Sequence, residues 1–309
     1  MDDQLDAVVV GGAGVDTNVY LAGDDIDWSV ESNFTRNVDC VGQAGGYSSR
    51  LFARLGKRTG YIGPVGDDPG GRLVRDTLAR DGVDLSGLFV DAGGTNRSVN
   101  LVYRDGRRKN FYDGRGSMTL QPDLAVCRGV LARTRLAHFS IVHWARQLLP
   151  IARELGAAIS VDLQDVVTAD DPYRRDFVDG ADILLLSGVN HPDPAPVIAA
   201  YRRRNPRAIC VVGMGARGAV LGTDDGIRWF DPVAHDRPVV DSNGAGDSLA
   251  VGFVTSYLLD GFALGDAVQR GQLLARHTCT LIAGDDGFLA RRELDERFAE
   301  LHGPQSSRQ

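Results

Sequence analysis

The run from Val8 to Gly11 constrains the fold of this chain more than any other stretch. It is short, apolar and rich in β-branched valine, and glycine ends it. A continuous apolar run of this length, bounded by a breaker, is typical of a strand buried on both faces. A strand of that kind belongs in the middle of a covered sheet.

Similar apolar runs alternate with amphipathic segments along the rest of the chain. Strands are predicted at 59–62, 136–142, 157–161, 182–186 and 208–212, with a hairpin-like pair around Val220 and Trp229. Helices are predicted at 48–55, 69–81, 148–155, 173–177, 196–204, 248–259 and 264–280. The alternation predicts an α/β fold with a doubly wound, mostly parallel sheet and helices on both faces. We expect one domain over residues 1–303 and a polar, disordered tail at 304–309.

One hairpin interrupts this alternation. Strand-like runs from Ser98 to Tyr103 and from Arg108 to Tyr112 flank Asp105-Gly106. Asp-Gly between such runs is a strong signal for a tight hairpin turn. An inserted hairpin of this kind projects from the main sheet as a flap.

Charge and cysteine content exclude several classes of partner and site. The net charge of -7 argues against nucleic acid or a membrane surface as a partner, because such proteins concentrate basic charge. The four cysteines form no Cys-x-x-Cys pair, so neither a zinc site nor a disulfide framework is indicated. The first residues lack the features of a signal peptide, and no apolar run reaches the roughly 20 residues of a membrane helix. We therefore expect a cytoplasmic protein.

The segment VVDSNGAGDSLAVGF, residues 239–253, carries the most specific chemistry. A strand is predicted to end at Asp241, and a helix is predicted to begin near Asp247. The glycines between them let N–H groups converge at the helix N-terminus, where the dipole also favours an anion. A carboxylate beside such an anion site is suited to accept a proton from an attacking hydroxyl. The alternative is that Asp247 only caps the helix.

This segment resembles the C-terminal signature of the ribokinase-like, or PfkB, family of carbohydrate and nucleoside kinases. Three further segments match family motifs in order: ARLG at 53–56, VGDDPGGRL at 65–73 and VGMGARGA at 212–219. The matches run from about Val8 to about Gly287, and four ordered motifs are far more specific than one. The resemblance implies a ribokinase-like fold with a small β-sheet lid. It also implies an ATP-dependent kinase that phosphorylates a hydroxyl of a small molecule.

The resemblance assigns roles around the C-terminal segment. The N–H groups of Gly244, Ala245 and Gly246 would hold the γ-phosphate, with Asp247 as general base. ATP would lie over the turn from Met214 to Gly218, with Mg²⁺ between its phosphates. The nucleotide-binding residues implied are Gly213, Gly215, Gly218 and Asn243. Asp241 matches an aspartate at a monovalent-cation site, so K⁺ is a further expected cofactor, held also by the loop 283–287. The alternative for Asp241 is a cap at the strand end.

Two family motifs depart from the pattern here. The GGxxxN motif falls on residues 42–47, so the acceptor-binding residues implied are Gly42, Gln43, Gly46 and Tyr47. Tyr47 replaces the family's asparagine, and a tyrosine can stack on a sugar face or a base but cannot reproduce an amide. The NxxE motif, which orients magnesium-bound water, falls on residues 187–190 without a glutamate. Asn190 is expected to contribute to orienting the magnesium-bound water, or Asp193 takes that role.

The acceptor is expected beside the first strand. In the family pattern the turn after that strand presents an aspartate to the acceptor's hydroxyls, and Asp16 stands there. The implied lid comprises segments at about 17–41 and 95–115. Within it, Asn100, Phe111 and Arg115 are candidate acceptor neighbours, the alternative being a solvated surface. Exposed strand edges of such a lid invite a partner, so we expect a homodimer.

A sugar or sugar-like acceptor is the first interpretation, and two alternatives stay open. A nucleoside kinase of the same family would use Trp28, Phe34 and Tyr47 for base stacking. A sugar- or nucleotide-binding relative without turnover would account for Tyr47 and the missing glutamate. No P-loop motif occurs, and the first glycines lack the context of a dinucleotide-binding unit. His138 and His143 are expected to be hydrogen-bonded histidines near a strand end and not metal ligands.

Overall fold

The computed structural model describes residues 3–283 and 285–303. Its strands are β1 (Ala7–Val10), β2 (Gly14–Leu21), β3 (Thr35–Gly42), β4 (Thr59–Val65), β5 (Asp84–Val90), β6 (Asn96–Val102), β7 (Arg108–Asp113), β8 (Leu136–Ser140), β9 (Ala158–Asp165), β10 (Ile183–Ser187), β11 (Ile209–Gly213), β12 (Ala219–Thr223) and β13 (Gly226–Phe230). One large sheet has the order β13-β12-β11-β10-β9-β8-β1-β4-β5, and a smaller sheet has the order β3-β2-β6-β7.

The large sheet is parallel from β11 to β5, and β12 and β13 add an antiparallel edge. The chain first adds β4 and β5 on one side of β1 and then adds β8 to β11 on the other side. The direction of strand addition therefore reverses between β1 and β8, where Val8 pairs with Ala137. In open α/β sheets, ligands bind outside the carboxyl ends of the strands at such a point. The predicted doubly wound, mostly parallel sheet is confirmed.

Helices cover both faces of the large sheet. They are α1 (Gln43–Arg54), α2 (Pro69–Arg80), α3 (Leu124–Leu131), α4 (Leu149–Glu154), α5 (Arg175–Gly180), α6 (Ala195–Arg204), α7 (Ala245–Val254), α8 (Leu264–Thr278) and α9 (Arg291–Leu301). Val9 packs in one core with residues of α1, α7 and α8, whereas Val8 and Val10 pack in the other core with residues of α3 to α6. All four residues of β1 are at most 1% exposed, so the predicted buried strand is confirmed.

The smaller sheet contains the predicted hairpin, with Asp105-Gly106 in the turn between β6 and β7. It combines residues 14–42 with residues 96–113, close to the two lid segments inferred from the sequence. The lid touches the chain just before α7. Tyr20 on β2 donates a hydrogen bond to Asp241 at 2.6 Å, and Ser242 donates to the Gly106 carbonyl at 3.1 Å.

Residues 239–241 do not form the strand that the sequence predicts. The N–H groups of Val240 and Asp241 both donate to the Cys279 carbonyl, at 2.8 and 3.3 Å. The C-terminal end of α8 thus accepts the backbone hydrogen bonds that a neighbouring strand would accept in a sheet. The elements β5, α3 and α9 have no counterpart among the predicted ones, and α1 begins at Gln43 rather than at the predicted Ser48. The predicted tail at 304–309 lies outside the described residues.

None of the described helices combines the length and the apolar composition that crossing a bilayer requires.

Candidate active site

The loop from Asp241 to Asp247, here called the anion loop, leads into α7. Gly244 caps the helix in a left-handed conformation with φ of 73°, and a Cβ there would lie 2.9 Å from the Tyr47 ring. Glycine alone meets both conditions without strain. At Gly246, by contrast, a Cβ would meet no atom within 4 Å, and the residue is exposed. This side of the helix N-terminus is open to an anion.

The three N–H groups of the anion loop that are predicted to bind phosphate differ in whether they already donate a hydrogen bond within the protein. Ala245 N–H donates to the Ser242 carbonyl at 3.3 Å. Within residues 3–283 and 285–303, no hydrogen bond to the protein is formed by the N–H of Gly244 or Gly246, and no side chain caps α7. N–H groups at the start of a helix need an acceptor from outside it.

Asp247 lies in the first turn of α7, and its Oδ1 is buried without a hydrogen-bond partner in the described chain. Burial raises the pKa of Asp247, the Asp162 carboxylate raises it further, and the Arg108 guanidinium lowers it. Burial also raises the pKa of Asp162, on β9. A carboxylate with a raised pKa binds a proton more tightly, which suits a general base that works near neutral pH.

Asp16 on β2 is a second carboxylate of the cleft and is only 4% exposed. Its Oδ2 accepts from Gln43 N–H at 3.3 Å, and its Oδ1 has no partner in the described chain. Burial raises the pKa of Asp16 to about 6. Gly42 allows this close approach, because a Cβ there would lie 2.1 Å from Asp16 Oδ2.

Three further polar side chains surround the glycines after β1. A Cβ on Gly12 would lie 3.1 Å from Asn96 Nδ2 and 3.4 Å from Gln43 Oε1. A Cβ on Gly11 would lie 2.0 Å from Ser140 Oγ. Asn96 Nδ2, Gln43 Nε2 and Ser140 Oγ are all buried without a partner in the described part of the chain. Because such groups are costly to leave unsatisfied, they are candidates for binding a polar ligand.

Sequence reasoning missed Asn96, Ser140, Asp162 and Arg108. Ser140 and Asp162 are paired residues on β8 and β9, and each follows an apolar run, which was the available signal. Asn96 and Arg108 lie on lid strands. Their local sequence does not indicate which of them faces the cleft.

Tyr47 and Gly46 lie behind the cleft. Tyr47 is 8% exposed, and its ring packs against Gly244 of the anion loop. A Cβ on Gly46 would lie 3.2 Å from a methyl group of Val41. In this structure Tyr47 supports the anion loop and does not offer a ring face to a ligand.

The lid candidates also differ from one another. The buried Asn100 side chain hydrogen-bonds Asn18 at 3.1 Å and an asparagine of β7 at 2.8 Å, so both ends of its amide are used inside the lid. Arg115 forms an ion pair with Asp113 at 3.3 Å. Phe111 is exposed on β7. The Arg108 guanidinium, also on the lid, lowers the pKa of Asp16 and of Asp247.

The turn after β11 contains the three glycines predicted to bind the nucleotide. A Cβ on Gly213 would lie 3.0 Å from Leu249, so this turn lies beside α7. Gly218, with φ of 91°, has the Phe230 carbonyl 2.0 Å from the Cβ position, so it serves the turn itself. A Cβ on Gly215 would meet no atom within 4 Å, so this glycine faces open space.

His138 has the surroundings expected of a core histidine. It is buried, hydrogen-bonds Ser160 at 2.8 Å, and has a pKa lowered by burial to about 4. His143 follows β8, and its Nδ1 is buried without a partner in the described chain.

Carboxylates suited to Mg²⁺ adjoin the anion loop. No group of three His, Cys, Asp or Glu side chains that could hold a metal ion occurs in residues 3–283 and 285–303. Mg²⁺ commonly keeps several waters and uses one or two carboxylates together with substrate phosphates. Asp162 and Asp247 are carboxylates of that kind. The Asn190 amide instead donates to the Val166 carbonyl at 3.2 Å.

The surroundings of Asp241 do not fit a monovalent cation. Asp241 Oδ1 accepts from the N–H and the side-chain amide of Asn243, each at 2.8 Å, and Oδ2 accepts from the Tyr20 hydroxyl at 2.6 Å. These neighbours are hydrogen-bond donors, whereas a hard cation needs oxygen acceptors. Asn243 is likewise held within the loop.

Comparison with known proteins agrees with this geometry. Residues 31–158 and 177–285 match the model of the pfkB family carbohydrate kinases. The chain is 30% identical over 299 residues to the acarbose 7(IV)-phosphotransferase of an Actinoplanes species, covering 95% of this chain and 98% of that one. It is 27% identical to the 2-dehydro-3-deoxygluconokinase of Bacillus subtilis, covering 79% and 82%.

Solved structures show the same fold. A microbiome-derived acarbose kinase superposes with a TM-score of 0.88 at 33% identity, covering 96% of this chain and 99% of that one. The ribokinase of Arabidopsis thaliana, solved with ribose and ATP, superposes with a TM-score of 0.77 at 18% identity, covering 96% and 99%. The inferred ribokinase-like fold and the phosphotransferase class are confirmed. This chain belongs to the pfkB family of carbohydrate kinases.

Proposed function

We propose that this kinase transfers the γ-phosphate of ATP to a sugar hydroxyl placed between Asp16 and Asp247. The observation that carries the proposal is the pair of carboxylates in one cleft, each with a buried oxygen that has no partner in the described chain. Asp16 would accept hydrogen bonds from acceptor hydroxyls, and Asp247 would face the hydroxyl that reacts. Binding at two ends fixes the acceptor relative to the phosphate.

The chemical step needs little from the protein beyond position and charge. The oxygen of the acceptor's hydroxyl bonds to the γ-phosphorus, and Asp247 takes the proton of that hydroxyl. The bond from phosphorus to the bridging oxygen breaks, and ADP leaves. The N–H groups of Gly244 and Gly246 donate to the phosphoryl oxygens as their charge increases, and Ala245 N–H can turn from Ser242 to join them.

Mg²⁺, when bound with the nucleotide, would neutralise phosphate charge. Asp162 and Asp247 would hold it through water, in preference to Asn190. Arg108, on the lid, would bring positive charge to the same place.

The acceptor is proposed to be a sugar or sugar derivative. Amide and hydroxyl groups of Gln43, Asn96 and Ser140 suit a ligand with many hydroxyls. Two relatives are named for acarbose, so acarbose is a candidate acceptor. A nucleoside is less well supported, because Tyr47 is buried and Trp28 and Phe34 lie on the outside, at 87% and 89% exposure.

Two further parts of the proposal concern the protein in the cell. We propose a homodimer in which exposed strands of the lid meet, since every residue of β7 is exposed. A cytoplasmic location would give the enzyme access to ATP.

An assay of ADP release with a panel of acceptors tests the function. The panel contains acarbose, fructose, 2-dehydro-3-deoxygluconate, ribose and adenosine. We expect ADP release with at least one of the sugars, lost in Asp247→Asn and kept in Asp266→Asn, which changes an aspartate in the first turn of α8. Thermal stabilisation by these ligands without ADP would instead indicate a binding protein without turnover.

A further inference from the structure

The hydroxyl of Tyr20 is fully engaged at the base of the anion loop. It donates to Asp241 Oδ2 at 2.6 Å and accepts from Ala283 N–H at 2.7 Å. Burial, together with the hydrogen bond to Asp241, raises the pKa of Tyr20, so the group stays a neutral hydroxyl. One lid side chain thus joins the anion loop to the loop after α8, two segments more than 200 residues away in sequence.

A second group brings positive charge to the same place. Beside Asp241 lies a cavity of about 20 Å³ whose walls include Asn243, Ala283 and Arg50. This volume suffices for about one water-sized particle. The Arg50 side chain is 6% exposed and forms ion pairs with Asp81, at 2.7 Å, and with Asp286 in the loop after α8.

These contacts make the cavity beside Asp241 unfavourable for an alkali cation. The Asp241 oxygens already accept three hydrogen bonds, and the buried guanidinium at the cavity wall repels a second positive charge. The Ile282 carbonyl accepts from Asp285 N–H at 3.0 Å, so it is used within its own loop. A guanidinium is always charged and holds its partners in fixed directions.

We propose that the Tyr20 hydroxyl and the Arg50 guanidinium take the place of a monovalent cation, so that the anion loop holds its shape without K⁺. The inference rests on the proposed function, because it concerns the loop that would bind the γ-phosphate. Tyr20 and Arg50 are positioning residues: they act on the phosphate site through Asp241 and the loop after α8. Since Tyr20 belongs to the lid, docking of the lid helps to set the phosphate site.

The first experiment uses the unmodified protein. Turnover and the thermal unfolding midpoint are measured while KCl replaces tetramethylammonium chloride at constant ionic strength. We expect kcat to change less than about twofold and the midpoint to stay constant. Activation of about tenfold, or a K⁺-dependent rise of the midpoint, overturns the inference. Absence of ADP release with every acceptor refutes the proposed function instead, and the midpoint still tests the cation inference.

Two variants test the individual groups. Tyr20→Phe removes only the hydroxyl and should lower kcat about tenfold, with the acceptor KM changed less than about twofold. Tyr103→Phe, also in the lid, is the matched control, and equal kcat values in the two variants overturn the role of Tyr20.

Arg50→Met opens the cavity and removes the charge of the guanidinium, so K⁺ should raise kcat and the midpoint of this variant. If folded Arg50→Met does not respond to K⁺, the role of Arg50 is overturned, and if it does not fold, the other two measurements decide.

Discussion

Replacing Asp16 by asparagine should stabilise the protein while it weakens acceptor binding. The Asp16 carboxylate is 4% exposed, and burial raises its pKa from 3.8 to about 6. The folded protein therefore binds this proton more tightly than the unfolded chain does. The stability associated with the group is fully present below about pH 4 and is lost as the pH rises through about 6.

The size of the effect follows from the two pKa values. Their difference corresponds to about 3 kcal/mol at pH 8, where the carboxylate is charged in both states. Asparagine resembles the neutral acid, so Asp16→Asn should be more stable than the original protein by up to that amount at pH 8 and by about half of it at pH 5. For a chain of this length, 3 kcal/mol corresponds to a rise of the unfolding midpoint by roughly 5 °C.

Thermal unfolding at pH 8 and pH 5 provides the measurement, with Asp39→Asn, at an exposed position on β3, as control. The same variant should lose about 10- to 100-fold in kcat/KM for the acceptor, because charge-assisted hydrogen bonds to its hydroxyls are lost. A variant no more stable than the original at pH 8, or one whose gain is the same at both pH values, would refute the reasoning.

Three further predictions concern the anion loop and its base. Asp247→Asn should lower kcat by at least about 100-fold and leave the ATP dissociation constant, measured by calorimetry, nearly unchanged; normal turnover would point to another base. Because burial and Asp162 raise the pKa of Asp247, kcat/KM should fall on acidification at a pH above the ordinary aspartate range, and a profile that stays flat down to pH 5 would contradict this. Gly244→Ala should cost about 1–3 kcal/mol in the free energy of unfolding, owing to the left-handed backbone and the Tyr47 ring at 2.9 Å, whereas Gly246→Ala, with open space, should cost less than about 1 kcal/mol in the same denaturation experiment.

Much of the fold was predictable because its signals are local. The β-branched run at 8–10 forms the buried central strand, and Asp105-Gly106 forms the hairpin turn. The helix predicted at 69–81 forms as α2, and the Asp68 carboxylate before it accepts from a first-turn N–H at 2.8 Å. Each of these features depends on residues that are neighbours in the chain. The anion loop was recognisable for the same reason, since its glycines and Asp247 lie within one short segment.

The sequence by itself determined most strands of the large sheet, the hairpin turn, the family and the segment that can hold a phosphate. The tertiary structure alone decided what surrounds that segment. The valines before Asp241 favour a strand, yet their backbone is satisfied by the end of α8. Tyr20 lies 221 residues from the carboxylate that it binds, and Asn96 and Gln43 both lie beside Gly12 only because the lid lies over the start of α1. The physical reason is that hydrogen-bond satisfaction and charge pairing in the cleft depend on strand order and lid docking, which bring distant residues together.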